Sequence, residues 1–325
     1  DMLVERTHVP VCGVVPYFYL DIDDEDSLSE RFSGKQGNGP IDIAVIRFPR
    51  ISNFTDLAAL ECREEVSLRY ISQSADFGEP DLVILPGTKS TIADLLWMRQ
   101  NGLEGKILRH ASAGGLVFGI CGGYQMLGAE VHDPDGVEAG AGKCVRGMEL
   151  LPARTVFEPE KHRTQITGHF GIVQGAFAEL TDVPFAGYEI HMGETIRDGG
   201  QPFSWIQYEN GENIAAMATD SDARSGYKTD SNPNGAPAGG KEDGCISGNV
   251  FGTYVHGVFD TEEMQHAIRD FLAERKGVRP ETYENGETFS MAKYKEEQYD
   301  KMAKIIRENL DMDMIYRILE RKDVR

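Results

Sequence analysis

A chain of 325 residues that is 40% hydrophobic can bury a sizeable core, and its length exceeds that of a typical single domain. Its net charge of −20 argues against a nucleic-acid partner, whose phosphates need a basic face, and it holds no apolar run of about 18 residues that could span a bilayer as a helix. The five cysteines (Cys12, Cys62, Cys121, Cys144 and Cys245) form no CxxC pair, which disfavours a disulfide framework or a metal site and fits a reducing, cytoplasmic setting.

In chain order, Asp1-Met2-Leu3-Val4-Glu5 lacks the basic segment of a secretory leader. A short apolar strand is expected within Val9–Pro16, in a segment 1–20 that reads as the end of an upstream domain. Residues 21–40 are acidic, polar and glycine-containing, the composition of a linker. Strands are then expected at 41–46, 66–71, 81–87 and 116–120, with helices at 55–65, 91–99 and 103–113 between them. Short, continuously apolar runs alternating with amphipathic helices indicate a doubly wound, mostly parallel α/β sheet. The following region is richer in strands, at about 168–174, 186–192, 203–208, 214–219 and 250–255. Residues 221–249 are rich in Gly, Ser, Asn, Pro and Asp and read as a flexible surface insert. Helices are expected at 261–275, 291–309 and 311–321, so the main domain is 41–276 and 277–325 is a helical extension.

Active sites of such sheets gather at the carboxyl ends of strands. Cys121 stands there, after the buried run Leu116–Ile120 and before Gly122, Gly123 and a helical segment. Strand, sharp turn and helix are the setting of a nucleophile elbow, and exposed N–H groups at a helix start favour a thiolate and can hold an oxyanion. The competing reading is an inert buried thiol. A nucleophilic thiol needs a base, and His256, closing the apolar run Gly252–Val255 and followed by Gly257, is the candidate, with His191 its main competitor. In Tyr188-Glu189-Ile190-His191-Met192, alternation puts Glu189 and His191 on one strand face, either near the Cys121 site or a domain interface, or as a hydrogen-bonded surface pair.

The string Gly119-Ile120-Cys121-Gly122-Gly123-Tyr124-Gln125 resembles the nucleophile motif of class I glutamine amidotransferases, and Leu85-Pro86-Gly87-Thr88-Lys89-Ser90-Thr91 is similar to their oxyanion-strand motif. With 187–195 (GYEIHMGET) and 252–260 (GTYVHGVFD), these strings resemble the cobyric acid synthase branch, from about Ile41 to the helix after Asp260. The resemblance implies a flavodoxin-like amidotransferase fold. It implies that Cys121 forms a γ-glutamyl thioester, that His256 is base and acid, that the N–H groups of Gly87 and Gly122 stabilise the oxyanion, and that Gln125 and Gly123 hold the glutamine. Class I members usually carry an acid two residues beyond the histidine. Here that position is Val258, so a Cys–His dyad is expected, with nothing assigned to orient His256.

Amidation of a carboxylate also requires activation, and the chain has no G-x-x-x-x-G-K-[ST] loop. The resemblance therefore implies that ATP and Mg belong to a dethiobiotin-synthetase-like domain of a longer protein, and that this chain needs no cofactor of its own. It further implies a corrinoid acceptor: the b, d, e and g carboxylates of adenosylcobyrinic acid a,c-diamide. A sister amidotransferase acting on cobyrinic acid or lipid II, and a silent glutamine-binding module, are the alternatives.

Overall fold

The computed structural model describes residues 2–18, 39–171, 175–208, 241–278 and 291–320. Its helices are α1 (Met2–Thr7), α2 (Ala58–Glu61), α3 (Thr91–Gln100), α4 (Leu103–Ser112), α5 (Gly122–Leu127), α6 (Glu262–Lys276), α7 (Met291–Asn309) and α8 (Met312–Glu320). Its strands are β1 (Ile41–Ile46), β2 (Val66–Ile71), β3 (Leu82–Leu85), β4 (Leu116–Ile120), β5 (Glu130–Asp133), β6 (Lys143–Arg146), β7 (Ala153–Phe170), β8 (Pro184–Arg197), β9 (Ser204–Tyr208), β10 (Lys241–Asp243), β11 (Cys245–Ser247), β12 (Val250–Thr253) and β13 (Val255–His256). The chain forms two compact units, Asp24–Phe289 and the pair of segments Asp1–Asp23 and Ser290–Arg325.

In the larger unit, one sheet has the order β11-β12-β4-β3-β1-β2 and is parallel except at the β11–β12 edge. The mostly parallel α/β architecture is the one expected. Strands β3 and β4 are buried at every position, which is why they read as unbroken apolar runs. The chain adds β2 on one side of β1, then crosses to β3 and β4 on the other, so its direction switches between β1 and β3. Crevices that bind ligands open at such switch points. Phe118 of β4 stacks on Phe251 of β12 at 4.0 Å, and Phe203 and Phe177 close on Phe251 at 4.6 and 4.1 Å, forming an aromatic core. Helix α6 is held by Thr261, whose Oγ1 accepts from Met264 N–H, and ends at Gly277 with φ 73°.

A second sheet runs β10-β9-β7-β5-β6, with β8 paired to β7 and to β13. The β7–β8 hairpin dominates it and carries a register break between Val156 and Lys161. Strands β5 and β6, and the first part of β7, lie where no strand is expected from the sequence.

Several expectations are corrected. The helix expected at 55–65 is a 3-10 turn, Phe54–Leu57, followed by the four-residue α2, because Asp56 in that turn is drawn into a tertiary bond described below. The described part of the 221–249 insert, from Lys241 on, is not loop but the paired strands β10 and β11. The strand expected at 250–255 is broken at Tyr254: β12 pairs with β4 in the first sheet, whereas β13 pairs with β8 in the second. In the smaller unit, the strand expected within Val9–Pro16 is a single bridge from Gly13 to Leu310, since Pro10 and Pro16 offer no N–H to a ladder. Helices α7 and α8 lie where expected. The strand expected at 214–219, and most of the 21–40 linker, fall outside the described residues. No described helix is long and apolar enough to cross a membrane.

The break at Tyr254 has a cause. Asp243, 4% exposed, accepts from Ser204 Oγ of β9 at 3.0 Å, from Thr253 Oγ1 of β12, and from the Tyr254 N–H at 3.2 Å. Burial raises the Asp243 pKa against the opposing pull of these bonds. One carboxylate thus joins the two sheets and claims the N–H that would continue β12. Replacing Asp243 with Ala leaves buried donors without an acceptor. Urea unfolding should show a loss of about 3 kcal/mol, whereas Asp243→Asn, which keeps an acceptor oxygen, should lose less.

Candidate active site

Cys121 sits where β4 turns into α5, with φ 51° and ψ −108°. A non-glycine residue in that region stores on the order of 1–3 kcal/mol of strain, held only because both sides are anchored. Its N–H donates to Thr253 O at 2.9 Å and its carbonyl accepts from Gln125 N–H at 3.0 Å. The turn also needs Gly123, because a Cβ there would lie 1.9 Å from the Leu85 carbonyl oxygen. Cys121 is 9% exposed, and its Sγ lies 3.6 Å from Ile190 O.

His256 is 1% exposed. Its Nδ1 is 2.7 Å from Asp56 Oδ2, and Asp56 Oδ1 accepts from the Gly257 N–H at 3.0 Å. Asp56 is itself buried. Burial pulls the imidazole pKa down, but the charge and hydrogen bond of Asp56, with a smaller contribution from Cys121, outweigh it and raise it from 6.5 to about 10. The other ring nitrogen, Nε2, is buried and makes no hydrogen bond, although Cys121 lies near enough for its sulfur to favour the charged ring. The dyad expected from the sequence therefore has a third, acidic member. It comes not from position 258, where Val258 is buried, but from the turn that follows β1.

The loop after β3 is fastened to that same turn. Ser52 N–H donates to Gly87 O at 2.9 Å, Lys89 N–H to Arg50 O at 2.9 Å, and Ile51 bridges to Thr88. Asp94 at the start of α3, fully buried, receives Thr88 Oγ1 at 2.5 Å, Arg50 N–H at 3.2 Å and Arg50 Nη1 at 3.1 Å. Gly87 is close enough to His256 that a Cβ on it would lie 3.2 Å from Cε1. Gly122 packs on Thr88, where a Cβ would meet Cγ2 at 2.7 Å. Gly87, Gly122, Cys121 and His256 thus share one corner at the switch point of the sheet. A thiol, an imidazole backed by a carboxylate, and adjacent glycine backbone are suited to acyl transfer.

Strand β8 lies over this corner. Tyr188 stacks on His256 at 5.2 Å and its hydroxyl accepts from Asn53 Nδ2 at 2.7 Å. Glu189, buried, is paired in register with Val255, so it lies beside the histidine strand rather than on the surface. The His191 ring stacks on Tyr254 at 3.8 Å and its Nδ1 is 3.0 Å from Gly193 O. Gln125 is buried, and its amide makes three bonds: Nε2 donates to Met192 O and to the Tyr254 hydroxyl, each at 3.2 Å, and Oε1 accepts from Thr91 Oγ1 at 3.0 Å. In this structure it braces β8 against α5 and α3. Asp56, Asn53, Thr88, Asp94 and Tyr254 are the participants that sequence reading missed. The sequence offered a signal for three of them: Thr88 stands inside the LPGTKST string, Asp94 just after it, and Tyr254 inside the 252–260 string.

Residues 42–264 match a family described as the CobB/CobQ-like glutamine amidotransferase domain. The chain is 48% identical over 320 residues to a cobyric acid synthase of Ruminiclostridium cellulolyticum, covering 98% of this chain and 57% of that protein. It is 44% identical over 324 residues to a cobyric acid synthase of Lachnoclostridium phytofermentans, covering 98% and 58%. A cobyric acid synthase of Clostridium acetobutylicum is 40% identical over 322 residues, with 98% and 56% covered. The chain therefore spans little more than half the length of these curated relatives.

The buried pair carries a pH signature. A histidine whose proton affinity rises on folding from 6.5 to about 10 stabilises the fold fully below the lower value, and that contribution is lost as pH rises through the upper one. In urea unfolding, stability of the wild-type chain should fall between about pH 6.5 and about pH 10. The fall should be shallower in Asp56→Asn, which removes the anion. Parallel slopes would mean that Asp56 does not hold the His256 proton.

Proposed function

Because the chain belongs to the CobB/CobQ-like glutamine amidotransferase family, we propose that it releases ammonia from glutamine, with Cys121 as nucleophile, His256 as base and acid, and Asp56 as the carboxylate that positions the imidazole. The observation that carries this reading is the buried His256–Asp56 bond, 2.7 Å long, beside a cysteine held at φ 51°. The proton of the Cys121 thiol is carried at Nε2 of His256, and the sulfur so freed attacks the glutamine side-chain carbonyl. The resulting oxyanion is received by the N–H groups of Gly87 and Gly122. His256 delivers a proton to the departing nitrogen as the tetrahedral adduct collapses to the γ-glutamyl thioester. It then takes a proton from water, whose attack on the thioester frees glutamate and returns the thiol.

An imidazole held charged by Asp56 carries protons on both nitrogens, one shared with the carboxylate and one available at Nε2. Asp56 also fixes the ring orientation, as the aspartate of a Ser–His–Asp triad does. Glutamine must displace the Ile190 carbonyl from the sulfur, so part of β8 must yield on binding. Because Gln125 is already engaged, the backbone of β8 and of Gly123 is the better candidate to hold the substrate.

The ammonia serves, on this reading, the making of cobyric acid, the product that the names of the relatives print, by ATP-dependent amidation of corrinoid carboxylates. ATP and Mg are assigned to the part of those relatives that this chain does not match, because the chain itself holds no phosphate loop of the G-x-x-x-x-G-K-[ST] type.

A thiol-directed glutamine analogue tests the core of the reading without needing a complete synthetase. Mass spectrometry should find the label on Cys121 and none in Cys121→Ala; a label on any other cysteine overturns the assignment. In Asp56→Asn the labelling rate should drop by roughly 100-fold. The alkaline limb of its pH–rate profile should move to lower pH, a shift that a purely structural role for Asp56 does not produce.

A further inference from the structure

The second sheet ends in the antiparallel pair β5–β6, where three donor groups of different chemistry converge outside the site described above. Register places His132 directly opposite Cys144, and Glu130 lies two residues before His132 on the same face. His132 Nε2 is 2.5 Å from Glu130 Oε2 and 3.5 Å from Cys144 Sγ. One ligand atom from each of the three residues lies within 4.8 Å of the other two.

Both neighbours approach the same ring nitrogen. A nucleophile relay needs the thiol on one nitrogen and the carboxylate on the other, so this is not a second copy of the Cys121 arrangement. Sulfur, nitrogen and oxygen donors converge on one point, and the Glu130–His132 contact at 2.5 Å is a hydrogen bond that opens to about 3.3 Å when both hold one ion. Bonds of about 2.0 Å to nitrogen and 2.3 Å to sulfur at a tetrahedral angle set those two atoms about 3.5 Å apart, the separation seen here. The mixed donor set suits zinc-like ions and not magnesium or calcium, which take oxygen ligands.

We propose that Glu130, His132 and Cys144 form a surface site for one thiophilic divalent cation of the zinc class, with a fourth position open to water. The charges around it agree. Arg146 stands opposite Glu130 in the register, but its guanidinium is committed to Glu149 through bonds of 2.8 Å from both Nε and Nη2. Glu130 is thus left uncompensated on that side. A bound cation takes Cys144 as thiolate and releases its proton. His132 and Glu130 have side chains 39% and 51% exposed, so an ion reaches them without unfolding. Once bound, it cross-links the edge strand β6 to β5, the strand that follows α5 and the Cys121 turn.

Cobalt(II) titration of the purified chain tests this, because a cobalt–thiolate bond gives a charge-transfer band. One equivalent should bind with that band, and zinc should displace it. Cys121→Ala should leave the band unchanged and Cys144→Ser should abolish it, while His132→Ala should weaken binding by at least about tenfold, the lower end of what loss of even an outer-shell partner costs. Zinc should raise the melting temperature of the wild type and not of Cys144→Ser. No band in the wild type, a band that survives Cys144→Ser, or one lost in Cys121→Ala each overturns the site. None of these readouts depends on glutamine turnover.

Discussion

A buried imidazole that stays charged needs a buried anion, and the bond between His256 and Asp56 is the constraint around which the larger unit is arranged. Desolvation of either partner alone costs several kcal/mol; together, and with the Gly257 N–H as a further donor, they offset it. The bond also reaches across the switch point of the sheet. Asp56 comes from the turn after β1 and His256 from the first residues after β12, so neither can shift without moving the exit loop of a central strand.

That exit loop has a second duty. The residues just before Asp56, Arg50 to Ser52, are bonded to Gly87, Thr88 and Lys89 in the loop after β3, and Asp94 anchors both loops to α3. The histidine's carboxylate and the glycine beside the reacting corner are therefore set by one piece of backbone. On the other side, strain at Cys121 is maintained by the Thr253 carbonyl, the close packing of Gly123 on Leu85, and the first turn of α5. A rigid frame of this kind holds Cys121 and His256 close together without help from a ligand.

The second sheet supplies the cover. Because Asp243 ends β12 at Tyr254, the chain leaves the first sheet and pairs with β8 at the point where His256 is needed. Tyr188 and Tyr254 then present flat faces to His256 and His191, and Gln125 ties β8 down from below. Burial of the site and its orientation thus come from the same strand. The covering is also what excludes water from the Cys121–His256 corner and strengthens every charge interaction there.

The sequence by itself determined the parallel sheet and singled out Cys121 as the candidate nucleophile and His256 as its candidate base. These are written in local patterns: unbroken apolar runs for strands buried on two faces, a strand followed by Cys-Gly-Gly, and a histidine closing an apolar run. Tertiary structure alone decided what orients His256. Asp56 is 200 residues away in the chain, in a turn whose composition reads as helix, and no spacing rule connects it to the histidine. The same holds for the break of β12 at Tyr254, which a buried carboxylate on β10 imposes, and for the meeting of His132 with Cys144, which the β5–β6 register creates. Periodicity records which face of an element is buried. It carries no record of which distant side chain an ionised group will find there, because that pairing is made by the topology of the sheet and paid in desolvation.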